Sequence, residues 1–141
     1  MNAPIKTILY ADDDADDVAM FRQSVQDIAA DYSVLEAFDG LQALEKLREM
    51  EQNGILPSLI ILDINMPRMN GKELLKVLQN NKAFSAIPIV LFSTSSNIID
   101  RRFSEAHQVV LITKPFGYKE QHDVAQKLLS YCVTKSATVL A

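Results

Sequence analysis

Five short, nearly unbroken apolar runs alternate with segments whose apolar residues recur every three or four positions. No other feature of the chain constrains its fold so tightly. The runs are "KTILYA" (Lys6–Ala11), "SVLEAF" (Ser33–Phe38), "SLIILD" (Ser58–Asp63), "IPIVLFS" (Ile87–Ser93) and "QVVLIT" (Gln108–Thr113). A strand with one wet face alternates apolar and polar residues, whereas a strand covered on both faces reads as a continuous run. These runs therefore predict a parallel sheet with helices on either side. Between them, Val18, Phe21, Val25 and Ile28 predict a helix over Ala15–Ala29. Leu41, Leu44 and Leu47 mark a second helix after Asp39-Gly40, and "NGILP" (Asn53–Pro57) reads as a loop. Gly71 opens a third helix carrying Leu74, Leu75 and Leu78. Ile98, Ile99, Phe103 and Ala106 outline a weaker fourth, and Ala125, Leu128, Leu129 and Cys132 the last.

The expected architecture is α/β, a doubly wound five-stranded sheet built from five βα units. A length of 141 residues suits one domain with one core. No linker, low-complexity tract or repeat divides the chain, so one domain is expected over 1–141. Its core would span about 6–132, with 133–141 as a loose tail. That leaves no room for a separate output domain. The net charge is −4, and the only basic pair is Arg101-Arg102, which argues against a nucleic-acid surface. One cysteine, Cys132, cannot form an internal disulfide. No apolar run approaches the roughly 18–20 residues of a membrane span. Acids interrupt the N-terminal apolar stretch too early for a signal peptide. A cytoplasmic protein is expected.

In a sheet of this kind ligands sit at the carboxyl ends of the strands. Those ends deliver Asp12, Asp13 and Asp14 after the first strand and Asp63 after the third. Ser93 and Thr94 follow the fourth, and Lys114-Pro115 the fifth. Several carboxylates at one edge repel each other, by on the order of 4 kcal/mol for a pair about 4 Å apart near a protein surface. Such a cluster calls for a cation, and Mg²⁺ favours carboxylates, waters and a phosphate oxygen. Lys114 adds an ammonium and Ser93 a hydroxyl. Metal, ammonium and hydroxyl around one carboxylate suit a clamp for phosphoryl oxygens, with the carboxylate as nucleophile.

From Lys6 to Cys132 the sequence resembles the receiver (CheY-like) domain of two-component response regulators. The resemblance is carried by Asp12-Asp13, by Asp63, Met66, Pro67, Asn70 and Gly71 in the run "DINMPRMNG", by Ser93 five residues after Pro88, and by Lys114-Pro115. The "LDINMP" wording and the extended loop before the third strand are similar to the stand-alone receivers that accompany bacteriophytochromes and hybrid histidine kinases.

The resemblance implies a flavodoxin-like sheet of order 2-1-3-4-5. It implies that Asp63 accepts a phosphoryl group from a histidine kinase or a phosphotransfer protein. Mg²⁺ or Mn²⁺ would be bound by Asp13 directly, by Asp12 through water, by Asp63 and by the backbone carbonyl of Asn65. Ser93 and Lys114 would bind the phosphoryl oxygens, and the Lys114-Pro115 peptide would be cis. Such a domain catalyses only its own phosphorylation and dephosphorylation. It would signal to a downstream protein, without DNA or membrane contact. Receiver dimers use the fourth helix, fifth strand and fifth helix, where Val109 and Leu111 lie here.

Two features depart from the family pattern. Leu111 stands where many receivers carry the Tyr or Phe that rotates inward on activation, and no glycine precedes the fifth strand. Other chemistry-bearing residues read more plainly. Asp14, Asp16 and Asp17 suit the positive end of the first helix, as caps or solvated acids. His107 and His122 lie away from strand ends and read as helix or surface residues. Cys132 reads as core. Two further functions stay open at this point. A phosphatase of the haloacid-dehalogenase-like group would need a general acid two residues after Asp63, where Asn65 stands. A nucleotide-binding module would need a Gly-rich phosphate loop, which the four isolated glycines do not form.

Overall fold

Each expected strand and helix is present, in the expected order. The computed structural model describes residues 5–94 and 97–132. The strands are β1 (Lys6–Ala11), β2 (Tyr32–Ala37), β3 (Leu59–Asp63), β4 (Ile89–Ser93) and β5 (Val110–Thr113). The helices are α1 (Ala15–Ile28), α2 (Gly40–Gln52), α3 (Gly71–Gln79), α4 (Ile98–Ala106) and α5 (Tyr118–Leu129). All strand pairs are parallel and the sheet order is β2-β1-β3-β4-β5. The sheet is thus the expected flavodoxin-like one. The tail 133–141 and the pair 95–96 lie outside the described residues.

Alternating side chains send each strand into two cores. On one face Leu9, Ile60, Leu62 and Leu91 pack with Leu44, Leu47, Leu74, Leu75 and Leu78 of α2 and α3. On the other, Ile8, Tyr10, Ile61 and Phe92 pack with Val18, Phe21 and Val25 of α1 and Leu128 of α5. All five residues of β3 are buried, as a central strand covered on both faces requires. That burial explains why "LIIL" precedes Asp63: four apolar residues hold its backbone between two cores.

β2 is shifted by one residue from the sequence reading, and β3 and α1 are each one residue shorter; three other boundary differences have identifiable reasons. β4 starts at Ile89 rather than Ile87, because Pro88 has no N–H for the ladder, although its carbonyl accepts from Ile60 N–H. β5 starts at Val110 rather than Gln108. A turn after α4 takes up Gln108 and Val109, whose N–H groups donate to the Glu105 and Ser104 carbonyls. Gln108 itself adopts φ 57°, a left-handed exit usually filled by glycine. The missing glycine before β5 is therefore replaced by a residue that carries the same backbone turn. α5 ends at Leu129, so Cys132 lies in the turn beyond it, half-buried against the α1/α5 core.

The fourth helix differs more. Ile98, Ile99 and Ala106, expected on its buried stripe, are exposed, and its buried residues are Asp100 and Ser104. Phe103 alone of the four packs against the core, and only partly. His107 caps this helix and stacks its ring on Phe103 at 4.1 Å, a helix-end role as expected.

Candidate functional site: an acidic edge around Lys114

Asp63 is the last residue of β3, and its position is locked from behind. A Cβ at residue 71 would collide with the Asp63 carbonyl oxygen, so α3 can start this close to the strand only with glycine there. The Gly71 N–H donates to the Ile64 carbonyl at 3.1 Å. Asn70 and Glu73 then form a reciprocal capping box at the start of α3. Between strand and helix, Arg68 takes φ 64° and grips Asp39 with two nitrogens, at 2.7 and 2.6 Å. Asp39 also caps α2 through Gln42 N–H. The loop beside Asp63 is thereby tied to the loop after β2.

Asp12 follows β1 and is completely buried. Its carboxylate accepts from the Tyr10 hydroxyl at 2.7 Å, from Asp14 N–H at 2.9 Å and from Lys114 Nζ at 2.7 Å. Tyr10 and Asp12 are two residues apart and therefore point to the same face. Burial, then the Asp12 charge, holds the Tyr10 hydroxyl in its protonated, donating form. Asp13 is exposed. Carboxylate oxygens of Asp12, Asp13 and Asp63 lie within 4.8 Å of one another. Three hard oxygen donors so placed, one of them open to water, fit a divalent cation that keeps part of its hydration.

Lys114 enters from β5, with its N–H donating to the Ser93 carbonyl. Its ammonium lies 2.7 Å from Asp12, 2.8 Å from Asp17 and 3.6 Å from Asp63. Burial alone would lower its pKa, but hydrogen bonds to Asp12 and Asp17 outweigh that and raise it. The lysine is thus a permanent cation. Asp63 moves the other way. Burial, reinforced by the Asp12 charge, pushes its carboxyl up to about 7, and the Lys114 charge and the Asn65 N–H only partly counter this. Without a cation, ionising Asp63 beside a second carboxylate is costly, which favours its protonated form.

The structure brings Asp12, Asp13, Asp63, Ser93 and Lys114 to one edge, as the strand ends predicted. Ser93 is completely buried and pairs in register with Thr113, whereas Thr94 is exposed. Asn65 is exposed at the start of the loop. Among the described residues no peptide bond is cis, so Lys114-Pro115 is trans, contrary to the expectation. The trans form is the intrinsically favoured one, by about 0.5–1 kcal/mol for bonds to proline.

Asp17 was not foreseen. It reads as a helix-start acid, and its N–H indeed donates to the Asp14 cap, but its carboxylate crosses to Lys114. The available signal is its position four residues before Phe21, one turn along the stripe that faces the sheet. Asp14 and Asp16 behave as expected, one as cap and one in the first turn. His122 is a helix-surface residue, 3.2 Å from Asp27.

Residues 8–126 match the response regulator receiver domain. The chain belongs to that family. The response regulator Rcp1 of Synechocystis sp. is 30% identical over 131 residues, covering 91% of this chain and 89% of Rcp1. The phosphorylated cyanobacterial phytochrome response regulator RcpA superposes with a TM-score of 0.81 at 26% identity, covering 92% of this chain and 97% of RcpA. The Mn²⁺-bound form of Rcp1 gives 0.76 at 28% identity, with 89% and 92% covered. Phosphorylation by a histidine kinase is the general function of such receivers, which are two-component signalling domains rather than classical enzymes. They interact with histidine kinases and with downstream proteins. The acidic cluster fits the divalent metal that receiver domains bind. Among the described residues, no helix of this receiver is long and apolar enough to cross a membrane.

Proposed function

We propose that Asp63 is the phosphoacceptor of this receiver and that Lys114 and Ser93 hold the transferred phosphoryl group. The observation that carries the reading is the Asp63 carboxyl, buried at a strand end, 3.6 Å from a lysine ammonium and beside two further carboxylates. Asp13 directly, Asp12 through water, Asp63 and the Asn65 carbonyl would hold Mg²⁺ or Mn²⁺. The cation would neutralise charge on the phosphoryl oxygens and favour the ionised form of Asp63. An Asp63 carboxylate oxygen forms a bond to phosphorus as the bond from phosphorus to the donor imidazole nitrogen breaks. The imidazole leaves with the electron pair. Hydrolysis of the acyl phosphate later returns Asp63 and inorganic phosphate. The domain thus catalyses only its own phosphorylation and dephosphorylation.

The signal would pass through Ser93 into the start of α4. Leu111 has no ring to rotate; it is half-buried against the leucine-rich core on the α3 side. Ile98, Ile99, Val110 and Tyr118 are exposed on α4, β5 and α5. That apolar face suits a downstream protein or a second copy of the chain, rather than DNA or membrane. The test is incubation with Mg²⁺ and acetyl phosphate, followed by intact mass. A gain of one phosphoryl group that is absent in Asp63→Asn is expected. No gain in the native chain, or an equal gain in the variant, would overturn the assignment.

A further inference from the structure

The third residue of a helix commonly serves its own cap, and α3 shows this: Glu73 bonds back to Asn70. Asp17 holds the same place in α1, two residues after Ala15, but does not reciprocate Asp14. Its carboxylate instead accepts from Lys114, 97 positions away. Asp17 is not in the group of carboxylates that could share a cation, which comprises Asp12, Asp13 and Asp63. It is therefore a fourth acid at the site with a different task.

The two close partners of Lys114 differ in what losing the lysine would mean. Asp12 is completely buried, and an unpaired carboxylate there would be costly. The Asp17 side chain is 24% exposed and borders a groove between α1 and α5 lined by Met20, Phe21, Pro115 and Val124. Water in that groove can solvate Asp17 when the ammonium leaves. An ammonium has three N–H donors, and two are spent on Asp12 and Asp17 at 2.7 and 2.8 Å. Asp63, at 3.6 Å, lies beyond hydrogen-bond range.

We propose that Asp17 is a positioning residue for Lys114, holding the ammonium off Asp63 in the resting protein so that an incoming phosphoryl group must win it from Asp17. The role rests on the reading of Asp63 as phosphoacceptor. It makes Asp17 a restraint on uptake from weak donors, distinct from the metal-binding acids. Removing its charge also removes a negative group from the neighbourhood of the phosphoryl oxygens.

The experiment uses the full chain and titrates beryllofluoride, a phosphoryl mimic, in Mg²⁺ by calorimetry for the native protein, Asp17→Asn and Asp17→Glu. Asp17→Asn is expected to bind about three- to tenfold more tightly, and Asp17→Glu to return towards the native value. With acetyl phosphate the same change is expected in the apparent KM, with the maximal rate little altered. A metal-free control measures thermal midpoints for Asp17→Asn, Lys114→Met and the double variant, which are expected to be non-additive. Unchanged or weaker binding by Asp17→Asn, or additive midpoints, would overturn the role of Asp17 alone. No binding by the native protein would remove the phosphoacceptor reading, and this role with it.

Discussion

Two helices of nine residues leave the site from neighbouring strands, and they are held in opposite ways. α3 follows Asp63 and α4 follows Ser93. Both are capped by an asparagine, Asn70 and Asn97, whose side chain accepts from the third N–H of its helix. α3 buries Leu74, Leu75 and Leu78, whereas α4 buries Asp100 and Ser104 and leaves Ile99 69% exposed. The Asp63 carboxylate, the proposed acceptor, is thus carried by the fixed side of the site. The hydroxyl that would sense the phosphoryl group leads into the lightly packed side. Packed cores resist continuous deformation, so movement is expected where apolar burial is thin. What fastens α4 is largely polar: Lys72 of α3 lies 2.6 Å from Asp100 and 5.2 Å from the Phe103 ring.

The largest effect is expected on the fixed side. Leu75→Ala removes a fully buried side chain beneath the Asp63 loop and should cost about 2–5 kcal/mol in urea unfolding. A cost below 1 kcal/mol would mean that α3 is no better anchored than α4.

The second test is graded by pH and also belongs to the β3 side. Asp63 is pushed above the usual carboxylate value, to about 7, by burial and then by Asp12. Its neutral form therefore favours the folded state. That contribution is full below about pH 4, the unfolded value, and is lost as pH rises through about 7. In metal-free protein, the thermal midpoint of the native chain should fall relative to Asp63→Asn between pH 4 and 8. Mg²⁺ should restore part of the loss at pH 8, since a cation bound only by the folded state stabilises it by mass action. Parallel curves for the two proteins would show that Asp63 ionises in the folded state as freely as in water.

These two tests concern parts of the molecule that were legible in the sequence. Strand ends were legible because burial on both faces leaves a continuous apolar run that stops at the edge of the sheet, where polar side chains take over. Asp12, Asp63, Ser93 and Lys114 fall at such stops, so topology alone gathers them. Asp17 was hidden because a first-turn acid has a sufficient local explanation in the helix dipole, and nothing local shows a contact 97 positions away. The fourth helix was hidden for the converse reason. Ile98 and Ile99 resemble a buried stripe, but the side of α4 that meets α3 is fastened through a charged group, to which apolar periodicity is blind. Gln108 occupies a left-handed turn by tertiary demand, against its own preference.

The Lys72–Asp100 pair sets the next, smaller effect. Lys72→Met keeps a long apolar stem near Phe103 but leaves the Asp100 carboxylate, 9% exposed, without the ammonium. A cost of about 1–3 kcal/mol is expected. Adding Asp100→Leu should recover most of it, because removing both members also removes the unpaired charge. If the single change is silent, the pair is no fastening, and Phe103, the Asn97 cap and the bond from Gln79 to the His107 carbonyl hold α4 instead. Hydrogen exchange of α4 amides should quicken in Lys72→Met, while α3 amides keep their protection.

The smallest stability effect is expected at Ile99. Its side chain lies outside both cores, so Ile99→Ser should change unfolding free energy by no more than about 0.5 kcal/mol. An isoleucine so exposed contributes little to the fold. Ile98, Val110 and Tyr118 are likewise exposed apolar side chains, on α4, β5 and α5. Ile99→Ser should leave beryllofluoride affinity at the native value while weakening any self-association that beryllofluoride induces, read as solution mass. Loss of stability comparable to Leu75→Ala would show that α4 is packed as firmly as α3, and the contrast between the two sides of the site would disappear.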